Sequence, residues 1–162
     1  MKSKREKGDE GEKFVADYLR NIGFVVQIHP RTFRIIYIKG KPIQISADND
    51  YHSCFDLLAE GLEKMIYIQV KATQDRKITR DIARAKANIE KNYIYTFPYV
   101  RVQVWQVWRE WIAGTPQKRR HKEYRFRMWE RGEVEEVMIH SIHVLRHRWN
   151  EITPVQVEKV ME

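Results

Sequence analysis

Gln69 and Lys71 lie two residues apart on a stretch that alternates as a β-strand: Ile66, Ile68 and Val70 to one side, the polar pair to the other. Thirteen residues before Gln69, Asp56 sits in a second apolar run, Phe55-Asp56-Leu57-Leu58-Ala59-Glu60, which returns through Gly61-Leu62-Glu63-Lys64. Two paired strands of this kind bring a carboxylate, an oxygen donor and an ammonium to one sheet edge. That set suits a hard divalent cation and an attacking water held against a phosphate. A polar alternate face on a strand is usually just solvated and Gln-x-Lys alone is common by chance, so the weight rests on the combination with Asp56, the upstream helix and the charge balance.

The elements that must position these residues are legible from periodicity. Met1–Lys7 reads as a short basic arm. Gly8-Asp9 opens a helix to about Asn21, with Phe14, Val15, Tyr18, Leu19 and Ile22 as its apolar stripe. Glu12 lies at the margin of that stripe, in line with Ala16 and Leu19, and can face the sheet. Gly23 ends the helix and Phe24–Ile28 is a buried-type strand. Residues 34–46 form a hairpin turning at Lys39-Gly40-Lys41-Pro42, closed by a loop at Asp48-Asn49-Asp50. After the two central strands come a helix over Thr79–Asn92 and a strand over Tyr99–Trp108. Glu123–Arg131 and Glu136–His143 are two further strands, and Thr153-Pro154 caps a short last helix. Lys118-Arg119-Arg120-His121-Lys122 reads as an exposed basic loop. This order predicts one α/β (α+β) domain spanning 1–162, a mixed central sheet flanked by helices.

Lys and Arg outnumber Asp and Glu by 30 to 22, for a formal net charge of +8. The balance favours a polyanionic partner, nucleic acid before membrane. No apolar run approaches the roughly 20 residues of a membrane span, and the single Cys54 excludes an internal disulfide framework and fits a reducing compartment. Six histidines form no zinc pattern: His140, His143 and His147 would cluster on a helix, not on the strand expected there.

Taken together, the chain resembles the archaeal-type Holliday junction resolvases of the PD-(D/E)XK nuclease superfamily. The matching residues are Lys7-Gly8-Asp9-Glu10-Gly11-Glu12, Gly23-Phe24-Val25-Val26, Phe55-Asp56-Leu57-Leu58-Ala59 and Tyr67-Ile68-Gln69-Val70-Lys71-Ala72-Thr73. The similarity covers residues 5–32 and 55–108, with a further strand near Tyr124-Arg125-Phe126. The hairpin at 33–50 and the segment from about 130 to 162 look like additions. Three departures stand out. Gln69 replaces the family's usual Glu, Phe55 stands where Pro or Val is frequent, and the loop Ile28-His29-Pro30-Arg31-Thr32 lacks the usual Arg and Ser-Gly pattern.

The resemblance implies a restriction-endonuclease-like core with an inserted hairpin and a β-rich extension. It implies an endonuclease that resolves four-way DNA junctions by metal-dependent hydrolysis, with Mg2+ as cofactor (Mn2+ as alternative), leaving 5′-phosphate ends. A homodimer on branched DNA, no membrane, and a cytoplasmic location (the host's, for a phage-encoded chain) follow from it. Glu12, Asp56, Gln69 and the Val70 carbonyl would be the metal ligands, with Glu10 as substitute for Glu12 if the register differs. Lys71 would orient or deprotonate the water, or stabilise charge on the phosphate, and the Thr32 hydroxyl would touch the scissile phosphate. Lys4, Arg5, Lys7, Arg31, Arg34, Arg76, Lys77, Arg80 and Arg84 are the candidate phosphate contacts. Two rival readings stay open: a restriction- or repair-type endonuclease on duplex or single-stranded DNA, and a catalytically silent DNA-binding protein in which Gln69 marks a degraded site.

Overall fold

The computed structural model describes residues 2–29, 32–47, 51–52, 54–94, 96–116 and 119–154, leaving aside the side chains of 32–34 and 44–47. Its elements are α1 (Lys4–Asn21), β1 (Val25–Ile28), β2 (Thr32–Ile38), β3 (Lys41–Ala47), β4 (Leu57–Glu60), β5 (Met65–Ala72), α2 (Arg80–Asn92), β6 (Val100–Ile112), β7 (His121–Ile139) and β8 (Ile142–Ile152). Six strands form one mixed sheet in the order β1-β4-β5-β6-β7-β8, while β2 and β3 pair as a separate two-stranded sheet. All neighbours are antiparallel except β5 and β6, which run parallel because α2 crosses over between them.

Strand alternation splits β5 between two cores. Ile66, Ile68 and Val70 face α1, whose Val15, Ala16 and Leu19 are buried against them together with Leu57, Ala59, Trp105, Val107 and Met128. On the other face Ile82, Ala85 and Ile89 of α2 bury against Phe55, Val102, Val104 and Trp129, with Tyr67 packed alongside. The result is helix, sheet, helix. Burial anchors α1 more than local preference does. Val15 and Leu19 are fully covered, each contributing about 1.5–3 kcal/mol, against about 1 kcal/mol for a good cap. Gly11 lets this helix lie close: a Cβ there would stand 3.3 Å from the Ala72 Cβ and 3.7 Å from a Val107 methyl.

Several boundaries differ from the sequence expectation. The basic arm is helical from Lys4, because Ser3 and Glu6 form a capping box in which each side chain bonds the other's backbone N–H. The strands expected at 123–131 and 136–143 are one long β7 plus the start of β8. Gly132, between the two expected strands, sits at a register shift between Arg131 and Val134, where a Cβ would meet the Asn150 amide at 2.8 Å. The reversal falls instead at His140-Ser141, both in the left-handed region (φ 49° and 64°), a pair without the usual Asn-Gly signature of such turns. His121 and Lys122 of the expected basic loop begin β7, and Lys118 lies outside the described residues. So do the 48–50 loop and the last helix beyond Pro154. The hairpin at 34–46 is present as β2 and β3, turning at Lys39-Gly40.

Candidate active site

Asp56 stands immediately before β4 and is tied to β5 through both its backbone and its side chain. Its N–H donates to the Ile68 carbonyl at 2.9 Å. Its Oδ2 accepts from the Val70 N–H at 2.8 Å and from the Gln69 amide nitrogen at 2.6 Å. The His29 N–H donates to the Asp56 carbonyl at 3.1 Å, and Phe55 beside it is fully buried. β4 pairs with β5 only as far as Leu57 opposite Ile68. Beyond that pair, an aspartate takes the place of the missing strand. Because a residue's N–H and C=O leave the same edge of a strand, the Val70 carbonyl is directed to the Asp56 side as well.

Gln69 is 5% exposed and Lys71 half-buried. Both project from β5 towards α2, where they line a cleft of about 540 Å³ with Asp81, Arg84 and Asn88. Asp56, Gln69, Val70 and Lys71 are therefore gathered at the carboxyl end of β5. In open α/β sheets this is the end at which ligands bind. The donors there are a carboxylate, an amide that presents its oxygen after a half-turn, and a main-chain carbonyl. All are hard oxygen donors, the set that fits Mg2+ or Mn2+ with waters completing the shell. The charge is low for such a site: among the described residues no group of three His, Cys, Asp or Glu side chains has metal-holding geometry.

Glu12 belongs to the opposite layer. It follows Gly11 on α1, which packs on the Val70, Ala72 and Val107 side of the sheet, and it does not line the cleft of Gln69 and Lys71. It is half-buried at the end of β5. Glu10 does not line the cleft of Gln69 and Lys71 either: it pairs with Lys2 and accepts a hydrogen bond from the Tyr124 hydroxyl at 3.4 Å. The Lys2 ammonium holds the Glu10 carboxyl below its ordinary range, with the Tyr124 contact acting in the same direction and desolvation opposing.

A second, larger cleft of about 930 Å³ opens past the same end of β5, between the start of α1 and residues 72–79. Lys4, Lys7 and Lys77 of the expected phosphate contacts line it, and Arg84 lines the first cleft. Arg5, Arg76 and Arg80 are exposed nearby in sequence but line neither. Arg31 and the side chains of Thr32 and Arg34 lie outside the described residues. Sequence reading missed Arg109 and Tyr124 as cleft residues and took Lys122 for a loop residue. The available signal was that β6 follows a crossover helix, so its end must lie beside that of β5.

Gln106 shapes the wall between these features. It is fully buried, and its amide nitrogen donates to the Thr73 hydroxyl at 3.1 Å and to the Lys77 carbonyl at 2.8 Å, pinning the loop that follows β5. Its neighbours on β6, Val104, Trp105, Val107 and Trp108, are buried too. His147 is also structural: its ring bonds Glu90 at 2.9 Å and Thr96 at 3.1 Å, tying β8 to α2.

A scan of protein-family models, a search of curated proteins and a search of solved structures each found no match.

Proposed function

We propose that the chain is a metal-dependent endodeoxyribonuclease selective for four-way DNA junctions, with a restriction-endonuclease-like core. The observation that carries this reading is the junction of Asp56, Gln69, Val70 and Lys71 at the carboxyl end of β5. The succession α1, three antiparallel strands, α2 and a parallel β6 supports the core assignment. Asp56, the Gln69 amide oxygen and the Val70 carbonyl would hold Mg2+ or Mn2+, with Glu12 reaching round the strand end from the α1 side. The bound ion would lower the pKa of a coordinated water and offset charge on the phosphate.

Lys71 holds that water in line or donates to a non-bridging phosphate oxygen. Asp56 orients the site through its two fixed hydrogen bonds, so its carboxylate needs no rearrangement on binding. Water oxygen bonds to phosphorus, the P–O3′ bond breaks, and the 3′ oxygen leaves with a proton, giving 5′-phosphate and 3′-hydroxyl ends. A homodimer with two-fold symmetry would set two such sites on opposed strands. No helix among the described residues is long and apolar enough to cross a membrane.

The test compares a synthetic four-way junction with its linear arms, with and without Mg2+. Cleavage confined to the junction and dependent on the ion is expected; equal rates on the arms would leave a general endonuclease. Asp56→Asn should abolish cleavage while keeping or tightening junction binding, since it removes a negative charge facing phosphate. One observation favours a silent binder instead: the Gln69 amide already donates to Asp56, and among the described residues no group of three His, Cys, Asp or Glu side chains is placed to hold an ion. Binding without any ion-dependent nicking by the unmodified protein would select that reading.

A further inference from the structure

The second cleft is richer in charge than the candidate active site. Among the described residues, six cationic side chains, Lys2, Lys4, Lys7, Lys77, Arg109 and Lys122, line it against three carboxylates, Glu10, Asp75 and Asp81. Those carboxylates are engaged. Glu10 pairs with Lys2, Asp75 accepts from the Lys77 N–H at 2.8 Å, and Asp81 stands 3.8 Å from Arg84. The cations come from four elements distant in sequence, so the field is a product of the fold. Two features make the cleft a formed one rather than a patch of loose lysines. Buried Gln106 holds the 73–77 wall in shape. Thr79, also on the wall, is the N-cap residue of α2, yet its buried hydroxyl makes no capping bond and has no hydrogen-bond partner.

The occupant's chemistry can be read from the two aromatic residues in its lining, Trp108 and Tyr124. Trp108 is 8% exposed, and its indole N–H donates to Glu110 at 2.7 Å. Tyr124 is stacked on Phe14 (centroids 4.7 Å apart) and has the Arg109 guanidinium 5.3 Å from its centre, so it is committed within the protein rather than offered to a base. Among the described residues neither ring of the lining is offered for stacking, and a cationic groove of that kind fits a phosphodiester backbone and not nucleobases. We infer that this cleft seats the sugar-phosphate strand flanking the bond at Lys71, with Lys77, Arg109 and Lys122 as its phosphate contacts, independent of base sequence. The inference rests on the nuclease reading for the identity of the strand.

The experiment measures binding of a labelled four-way DNA junction by fluorescence anisotropy in EDTA, where no cleavage occurs. Arg109 and Lys122 are exposed, so the double variant Arg109→Gln/Lys122→Gln should fold normally, which circular dichroism verifies. Its affinity should fall on the order of tenfold or more near 0.1 M salt. The slope of log affinity against log salt should shrink by about one per lost contact. The control Lys13→Gln/Lys64→Gln removes the same charge from α1 and from the opposite end of β5, and should lose far less. Equal loss in both double variants, an unchanged slope, or no DNA binding by the unmodified protein overturns the inference. Selective loss in a protein that never nicks DNA keeps it and ends the nuclease reading; cleavage with undiminished affinity in Arg109→Gln/Lys122→Gln does the reverse.

Discussion

At the residue scale, the contact between Gln69 and Asp56 matters most. A glutamate at 69 would place a second carboxylate where the amide now donates at 2.6 Å. Two like charges that close repel by several kcal/mol even at an effective dielectric of about 20. Without metal, Gln69→Glu should therefore share a proton with Asp56, raising the folded pKa of the pair above the unfolded carboxylate value of about 4. Its folded state then binds more protons than the unfolded one, so stability is lost as pH rises through the raised value. Thermal melts should find the variant close to the parent at pH 5 and clearly less stable at pH 8. Millimolar Mg2+ should restore more of the melting temperature in Gln69→Glu than in the parent. A melting curve indifferent to both pH and Mg2+ would count against oxygen ligation at this point.

At the element scale, two contacts place the ends of α1 and β5. Gly11→Ala gains about 1 kcal/mol in helix preference but sets its Cβ 3.3 Å from the Ala72 Cβ. The two effects offset, so near-neutral stability is expected. Gly11→Leu cannot be absorbed and should cost about 1–3 kcal/mol, or about 2–4 °C per kcal/mol for a chain of this size. Because it lifts α1 and Glu12 from β5, it should also reduce any cleavage rate more than Gly11→Ala does. On the far side of β5, Gln106→Leu would leave the Thr73 hydroxyl and the Lys77 carbonyl without their donor. A loss of about 1–3 kcal/mol is expected. Hydrogen exchange should rise locally at 73–77 while β6 stays protected; uniform loosening would assign Gln106 to the core alone.

At the scale of the whole molecule, the β2–β3 pair is an excursion. It forms its own sheet, and the chain on either side returns to one place. The rings of His29 and Tyr51 meet at 4.6 Å, and the Tyr51 hydroxyl donates to Gln27 at 3.4 Å. Replacing residues 30–50 by a short Gly-Ser link should therefore close without strain and leave the melting temperature within a few degrees, since loop-closure entropy changes slowly with length. Collapse of the fold would show that the hairpin supports the six-stranded sheet. A folded but inactive product would place the Thr32 region in substrate contact.

Much of this was legible along the chain. Strand alternation alone divides Ile66, Ile68 and Val70 from Gln69 and Lys71, and the 3.6-residue repeat finds both helices, because each pattern reflects a local geometry set by the backbone. The excess of basic residues likewise needs no folding to be counted. Other features arise only when distant segments meet. The capture of Asp56 Oδ2 by the Val70 N–H depends on where β4 stops pairing. The assignment of Glu12 to the layer opposite Lys71 depends on which face of β5 receives α1. Arg109, Lys122 and Tyr124 converge with Lys77 because β6 runs parallel to β5 and β7 returns beside it. Residue spacing carries no information about that convergence, which comes from strand order and direction, and those are chosen by burial across the entire sheet.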